Sequence, residues 1–596
     1  MTRLFSSSYY VRDMYFRDSV RRYKNREYHS VQLVECFRHP ETRRPTTKVL
    51  ASLGDLTDLT AADRLSMVQS LARALGVLDL VGLSSDELAL AELGDADAKA
   101  RSIGSMWAIL GIMQQLTLPE MWEQLVSGRK NSQSLSRHLT ALLCNRLDDP
   151  RSKLGILSWL ETVLIPGIDT DDVTYQGLLR TMDVLIEHKD EIEKRLADRL
   201  LTLFDTELDL VLMDVTSVSV SSRSEDHPLF AHGYSRDGHP ERKQYVLMMV
   251  TTKDGIPIYH DIHPGSTADV TLVDATMKKV RSVFEGIDRC MVVGDRGMLS
   301  KGNLEALTEL GFEHLVALPL KRESGTRDLI AKTHEELLEE ARKAEARAKD
   351  DDTIEVVTEV PADDGRYVVA FSKKVANTQR KGRDRKLDAF DDKAAIIEAR
   401  LQGKTQSRGR QLTDHGAFKQ LVKESITRNV AAYFRVEMRG DFLWVEPIDE
   451  AIEYAEECDG KLALHTNSAD FKAEELYRMY KDLQEIERSF RALKHQIAIR
   501  PTYHWTEERV RAHVFVCVLA LVIERVMRLR LKQAKSTFSP AKALDELRKL
   551  THVQLSFGTK RQDRQILANK APVQLDIFDA LNVERFTDAR LKKLTA

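Results

Sequence analysis

The sequence predicts an α/β fold, on three observations made between residues 206 and 532. Two apolar runs typical of buried strands, LDLVLMDVTSV (208–218) and RCMVVGDRGML (289–299), each contain an aspartate where the buried part ends. Two further strand-like runs between them are joined by Lys–Asp–Gly, which indicates a hairpin, and a helical segment follows. Residues 467–532 have the periodicity of two helices. The predicted order is three antiparallel strands followed by alternating helices and strands.

The chain has 596 residues, which is too long for one ordinary domain. We expect a basic β module at 1–60 and a helical domain at 61–205, followed by an α/β core that begins at 206–320. A β-rich insertion at 321–466 then interrupts the core. The core resumes at 467–535, and a C-terminal tail at 536–596 offers a possible dimer contact.

Composition places the protein in a reducing, aqueous compartment. The longest apolar run, VFVCVLALVI (514–523), is shorter than the roughly 18 residues of a membrane span and fits a buried helix. The N-terminus lacks the apolar segment of a signal peptide. Five cysteines lie far apart without a CxxC pair, which argues against a disulfide framework and a Cys-rich zinc site. We therefore expect a cytoplasmic protein with no membrane contact.

Charge distribution is more informative than the net charge of −3. Residues 1–50 carry eleven Lys and Arg against five acids, and residues 371–410 carry twelve against five. Such basic patches suit a surface that follows a phosphate backbone, and a solvated face is the alternative. In the N-terminal module, aromatic side chains are interleaved with the basic ones, so this segment could bind DNA ends or be a small capping sheet. The helical domain offers either a DNA-binding module or a structural bundle.

Three carboxylates point to a metal site. Asp214 and Asp295 lie where predicted strands end, and side chains there point into a crevice of the sheet. Tyr480, Glu487 and Lys494 recur every seven residues, so they lie along one helical face. Charges beside an apolar stripe are ordinarily solvated, which is the alternative reading. Two Asp and one Glu would suit Mg²⁺, and paired ions can clamp the attacking and leaving oxygens of a phosphodiester.

The order Asp214, Asp295, Glu487 resembles that of the DDE transposases of bacterial insertion sequences. The final segment is similar to the Tyr–Arg–Glu–Lys signature of one branch of that family, although Leu483 stands where the signature has Arg. Arg478 or Arg488 are candidates to replace it. Other resembling pieces are GYSRDGHPERKQ (233–244), HPGSTADV (263–270), GDRGML (294–299) and RPTYHWTEERVRAHVF (500–515). The resemblance covers most of residues 205–532.

The resemblance implies an RNase H-like catalytic core. It also implies that Asp214, Asp295 and Glu487 are catalytic and hold two Mg²⁺ or Mn²⁺ ions for DNA cleavage and strand transfer. Tyr480 and Lys494 would position the phosphates near the cut. The expected partners are double-stranded DNA, as terminal inverted repeats and as target, and a second copy of the chain, since two ends must be brought together.

Further cations are predicted to contact DNA phosphates. They are Arg236, Arg242, Lys243 and Arg491. For the first three, a polar surface loop is the alternative. The loop GYSRDG has the glycine spacing of a nucleotide-binding loop, but His–Pro follows it instead of Lys–Ser/Thr and a strand follows instead of a helix. We therefore reject nucleotide binding.

In relatives of this branch the insertion contacts the transposon end and helps to extrude a base. Trp444 is a candidate to stack on such a base, with a packed core residue as the alternative. Two other functions stay open for the whole chain. One is a catalytically silent DNA-binding protein of the same fold, and the other is a stand-alone metal-dependent DNA nuclease.

Overall fold

The computed structural model describes most of the chain, in ranges separated by short gaps. These ranges are 13–23, 26–38, 45–55, 60, 67–68, 96–204, 208–221, 226–284, 290–295, 298, 300–320, 324–347, 354–363, 365–403, 412–440, 442–557 and 562–595. The chain divides into two compact units. The first contains residues 1–101, 550–570 and 587–596, and the second contains residues 102–549 and 571–586.

The first unit contains two three-stranded antiparallel sheets. One has the order β1–β2–β3, with strands Asp13–Tyr23, Arg26–Arg38 and Pro45–Asp55. The predicted N-terminal β module is therefore confirmed, as a sheet of three strands. The other sheet joins β4 (Ala96–Ser102) to a C-terminal hairpin of β15 (Thr551–Phe557) and β16 (Gln562–Ala568). The sequence did not predict this hairpin, whose strands are rich in polar residues.

A helical region opens the second unit. Its helices are Gly104–Gln115, Leu118–Val126, Ser132–Asp148, Lys153–Leu160, Tyr175–Glu187 and Lys189–Phe204. The side chains of Ser152 and Thr174 cap two of them by accepting backbone N–H bonds. The predicted helix at 61–76 lies almost entirely outside the described residues.

An eight-stranded mixed sheet is the centre of the second unit. Its strand order is β10–β11–β14–β9–β8–β5–β6–β7. The strands are β5 (Leu210–Ser219), β6 (Gln244–Thr252), β7 (Pro257–Pro264), β8 (Met291–Gly294), β9 (Glu313–Ala317), β10 (Glu355–Ala362), β11 (Gly365–Ser372) and β14 (Lys461–Thr466). β5, β6 and β7 are antiparallel neighbours, and β8 runs parallel to both β5 and β9. This arrangement confirms the predicted α/β, RNase H-like core.

Residues between the two parts of the core extend this sheet and add helices. Strands β10, β11 and β14 all lie within the predicted insertion at 321–466. They continue the core sheet beyond β9. The helices here are Ser324–Glu345, Lys373–Leu401, Asp414–Thr427 and Asp449–Glu457. A separate hairpin pairs β12 (Phe434–Arg439) with β13 (Phe442–Pro447).

The two faces of β5 have different roles. Val211, Met213 and Val215 belong to a buried apolar cluster that includes side chains of helix Val273–Val283, while helix Lys301–Glu309 lies on the same side. Because side chains alternate along a strand, Asp214 and Thr216 point to the opposite face. Helices after β14 cover that face. They are Ala473–Lys481, Leu483–His495 and Glu507–Gln533. Two further helices, Pro540–Arg548 and Pro572–Ala580, pack against Glu507–Gln533.

Helix Glu507–Gln533 is buried on all sides along most of its length. It packs against helices Ser132–Asp148 and Tyr175–Glu187 as well as against β7, so it needs an apolar surface all round. The apolar run at 514–523, which the sequence predicts to lie in a buried helix, is part of it. Within the described ranges, no helix combines the length and the apolar character needed to cross a membrane.

Candidate active site

Parallel pairing of β5 with β8 determines where the two aspartates lie. The register pairs Leu210 with Met291 and ends with Met213 beside Gly294. Asp214 and Asp295 are the next residues on the two strands, so they lie next to each other. Asp295 directly follows the end of β8, as predicted. Asp214 is in the middle of β5, which continues to Ser219, so the prediction that the first strand ends at Asp214 is wrong. Asp214 is half-buried, whereas Asp295 is exposed. The register of β5 with β8 thus places one half-buried and one exposed carboxylate next to each other.

Helix Leu483–His495, which we call the Glu helix, packs against β5. Its buried stripe includes Ile486, Phe490 and Leu493, and Glu487 is exposed beside that stripe. This is the amphipathic pattern that the sequence predicts. Packing of the stripe on the sheet therefore determines where the Glu487 carboxylate lies.

Electrostatics show that the three carboxylates influence one another. Burial raises the pKa of Asp214 to about 7, against the opposing effects of the Val215 N–H and of Arg236. The charges of Asp295 and Glu487 raise the pKa of Asp214 further. The Val215 N–H donates to Asp214 Oδ1 over 2.7 Å. A proton or a cation at this cluster would relieve the repulsion.

The donor chemistry of the cluster fits a hard divalent cation. Carboxylate oxygens are the ligands that Mg²⁺ and Mn²⁺ prefer, and the mutual repulsion at Asp214 is the electrostatic condition that a cation would relieve. Across the residues that the structure describes, no group of three or more His, Cys, Asp or Glu side chains is already arranged to hold a metal ion.

Tyr480 does not lie on the same uninterrupted helix as Glu487. The predicted helix was expected to start at Asn467, Ser468 or Asp470. It starts instead at Ala473, ends at Lys481, and gives way at Asp482 to the Glu helix. Tyr480 is half-buried in the first of these two helices. The predicted single helix is therefore divided at Asp482, although Asp482 itself keeps right-handed helical dihedral angles.

Lys494 lies inside the protein, close to the face that carries Asp214. Its ammonium donates to Thr216 Oγ1 over 2.7 Å and to Asp237 Oδ1 over 2.8 Å. Thr216 follows Asp214 by two residues, so both side chains are on the same face of β5. Burial lowers the pKa of Lys494, although Asp237 opposes that shift. Lys494 is thus placed near the carboxylates by a buried network.

Asp237 is the residue of this network that sequence reasoning missed. Its side chain is 3% exposed and accepts from Lys494, from Arg500 at 2.5 Å and from the Ser219 N–H at 3.1 Å. Burial alone would raise the pKa of Asp237, but these partners hold it below its ordinary value. The available signal was its position in the loop GYSRDG, where only the neighbouring cations were considered.

The predicted phosphate-binding cations occupy different environments. Arg236 hydrogen-bonds the Asp269 carboxylate, and its charge acts on both Asp214 and Lys494. Arg242 is exposed and lies 3.5 Å from Glu241. The other two are Lys243, which is half-buried, and Arg491, which is exposed on the Glu helix. The structure therefore brings Arg236 and Lys494 to the carboxylates.

Packing explains why Leu replaces the signature Arg. Leu483 is 8% exposed at the start of the Glu helix, where an apolar side chain is required. Of the two candidates to replace the Arg, Arg478 is exposed, and Arg488 hydrogen-bonds the carboxylate of Glu485 on its own helix.

A glycine turn keeps the Glu helix in position. Gly255, in the turn between β6 and β7, has a φ of +73°, and a Cβ there would lie 2.7 Å from the backbone oxygen of Glu485. Ser489 Oγ donates to the Gly255 carbonyl over 2.7 Å. The Arg525 side chain, 1% exposed, bonds the Glu485 carboxylate at 2.7 Å. Only a residue without a side chain fits this close approach.

Trp444 is on the surface rather than in a core. It is 44% exposed on β13, its Nε1 donates to Glu446, and the Arg439 guanidinium lies 4.2 Å from its ring centroid. The alternative of a packed core residue is therefore wrong.

Two protein families match parts of the chain. A family described as "Transposase DDE domain" matches residues 205–523. A family described as "IS1634 family transposase, N-terminal domain" matches residues 16–77. A search of curated proteins found no significant match. The first match covers the mixed sheet, Asp214, Asp295 and the Glu helix.

Proposed function

We propose, from the premise that this chain belongs to the DDE transposase family, that it cleaves DNA at the ends of an insertion sequence and joins those ends to target DNA. The observation that carries the proposal is geometric: parallel pairing of β5 with β8 places Asp214 beside Asp295, and the Glu helix, which carries Glu487, packs against β5. Three carboxylates in that position are suited to phosphodiester chemistry rather than to stabilising the fold, because their repulsion is costly unless something positive binds.

In this proposal, Asp214, Asp295 and Glu487 hold two Mg²⁺ or Mn²⁺ ions. When bound, such ions activate the attacking oxygen and stabilise the leaving oxygen. The chain's own contribution is the geometry around them. Asp214 is anchored by the Val215 N–H, while Asp295 and Glu487 are exposed, so a DNA backbone can approach from their side.

Cations near the carboxylates would position the phosphates. Lys494 is held beside Thr216 by Asp237, and the charge of Arg236 acts on Asp214 from the loop that precedes β6. A cation at a fixed position attracts and orients a phosphate without a change in its own conformation. Tyr480, Arg242, Lys243 and Arg491 are proposed to make further contacts along the DNA.

DNA recognition would involve other parts of the chain. The family match at residues 16–77 supports a role of the N-terminal basic module in recognising terminal inverted repeats. Trp444, exposed with Arg439 over its ring, is suited to stack on an unpaired base. Two ends must be brought together, so we propose a homodimer on DNA.

The test is a Mg²⁺-dependent cleavage and strand-transfer assay on labelled DNA that carries the flanking ends of the element. Wild type is compared with Glu487→Gln and with Glu474→Gln, a control at an exposed glutamate of the preceding helix. Wild type and the control should cleave and join, and Glu487→Gln should do neither. If Glu487→Gln cleaves like wild type, the third carboxylate is assigned wrongly.

Two other results would replace the proposal with one of the alternatives. Cleavage without joining, and without dependence on the end sequence, would identify a nuclease. Binding of the ends by a wild-type protein that cuts nothing would identify a catalytically silent DNA-binding protein.

A further inference from the structure

An open cavity of about 540 Å³ lies beside the proposed active site, within the second unit. We call it the basic pocket. The lining includes Arg146, Lys153, Arg500, Tyr503 and Trp505. Among the described residues that line it, none carries an acidic side chain. It brings together two segments that are distant in sequence, at the start of helix Lys153–Leu160 and at the loop before helix Glu507–Gln533.

Lys153 supplies a buried cation with unused donors. Lys153 is only 6% exposed, and its Nζ lies 3.0 Å from His513 Nδ1. His513 Nε2 lies 2.9 Å from the Ile499 carbonyl, so that nitrogen carries the proton and Nδ1 accepts from Lys153. An ammonium has three N–H donors, and this bond uses one of them.

Arg146 is a second buried cation in the lining. It is 4% exposed, and its Nη1 donates to the Ile497 and Ala498 carbonyls over 3.4 and 3.2 Å. Its Nε has no hydrogen-bond partner among the described residues. Both cations are therefore held by neutral groups, an arrangement that costs free energy unless an anion arrives.

Burial and neighbouring positive charges act together on the groups of this cavity. Burial, with the charge of Arg146, lowers the pKa of Lys153 to about 7. Burial, with the charges of Lys153, Arg509 and Arg146, lowers the pKa of His504 to about 3. The cations that belong to the pocket thus repel further positive charge, and a bound phosphate would offset that repulsion.

Large aromatic side chains stand at the mouth of the same cavity. Trp505 is 73% exposed and Tyr503 is 65% exposed. Exposed large aromatics next to cations are the combination that binds single-stranded nucleic acid, since every base has a face on which an aromatic ring can stack.

Arg500 connects the pocket to the proposed active site. It lines the cavity and also pairs with Asp237 at 2.5 Å, and Asp237 in turn accepts from Lys494. A DNA strand bound in the pocket would therefore pass next to the network that positions Lys494.

We propose that the basic pocket binds one nucleotide of single-stranded DNA, with its phosphate at Lys153 and Arg146 and its base stacked on Trp505. The proposal rests on the proposed function in that the ligand is DNA. The ligand would be an unpaired segment of a strand beside the cut.

The test measures binding to a fluorescently labelled oligodeoxythymidylate of about 15 nucleotides, by anisotropy in EDTA so that no cleavage is needed. Trp505→Ala should raise the Kd roughly 5- to 150-fold, and Trp505→Phe should bind nearly as tightly as wild type. Lys153→Met should weaken binding and reduce the slope of log affinity against log salt by about 0.7. Lys332→Met, at an exposed lysine outside the pocket, should leave both quantities unchanged.

Wild-type affinity and salt slope in both Trp505→Ala and Lys153→Met would overturn the proposal. Equal competition by free dTMP would also overturn it, in favour of a mononucleotide site. The result is separable from that of the cleavage assay. If the wild-type protein cleaves DNA and the pocket variants bind the oligonucleotide normally, only the pocket proposal is refuted. If the pocket variants lose binding and Glu487→Gln cleaves as well as wild type, only the carboxylate assignment is refuted.

Discussion

Replacement of Asp237 by Asn should weaken both the fold and the cleavage reaction. The substitution keeps the size of the side chain but removes the charge that Lys494 and Arg500 share. Removal of one partner from a buried ion pair costs roughly 3–5 kcal/mol. Asn retains an acceptor oxygen and Arg500 is 26% exposed, so we expect the free energy of unfolding to fall by about 2–3 kcal/mol. Melting entropy is about 2.1 cal/mol/K per residue, so a cooperative unit of more than 400 residues should melt about 2–3 °C lower.

The pH dependence of this loss follows from the pKa of Asp237, which is held below its ordinary value. A carboxylate with a depressed pKa stabilises the folded state above its unfolded pKa of about 3.9, and that stabilisation disappears as the pH falls through the folded value. The difference between wild type and Asp237→Asn should therefore be complete at pH 7 and shrink below about pH 4. Cleavage should fall at least about tenfold, because Lys494 loses the group that holds it near Asp214.

Calorimetry across pH and the cleavage assay check these expectations together. Asp261→Asn is the matched control, because Asp261 pairs with Arg511 at 2.9 Å but is 36% exposed. A surface pair of this kind contributes less than about 1 kcal/mol. The reasoning is refuted if Asp237→Asn melts and cleaves like wild type, or if its stability deficit is the same at pH 7 and at pH 3.

Three other changes have expected outcomes. Asp214→Asn should raise the melting temperature of the metal-free protein at pH 7 and abolish its rise on Mg²⁺ addition. Since the pKa of Asp214 is raised to about 7, the metal-free wild type should lose stability as pH rises from about 4 to 7, and calorimetry that shows no such loss contradicts the assignment. Leu483→Arg, which restores the signature residue, should lower the free energy of unfolding by about 2–4 kcal/mol, because it places a charge at a buried position. An unchanged melting temperature would mean that the Arg side chain reaches solvent. Gly255→Ala should lower the free energy of unfolding by at least about 1 kcal/mol and slow cleavage, because the φ of Gly255 is positive and a Cβ there would meet the Glu helix. Gly238→Ala is the control: Gly238 has a φ of +72° and lies in open space, so this variant should show only the backbone cost.

Local patterns were sufficient for much of the fold. The order of strands from β5 to β9 and the helix that carries Glu487 follow from periodicity and turn residues, which act over a few neighbouring positions. Boundaries were less predictable. The C-terminal hairpin at Thr551–Ala568 was not predicted, and its strand β15 pairs with β4, which lies more than 400 residues earlier in the chain.

The sequence by itself determined the family of the chain and the carboxylates proposed for chemistry, because family motifs are properties of short segments. Only the tertiary structure decided how those residues are supported. Asp237 meets Lys494 across more than 250 residues, and the basic pocket joins Lys153 to Trp505. Such contacts arise when helices pack on a sheet, and the free energy that selects them is that of the whole core rather than of any motif.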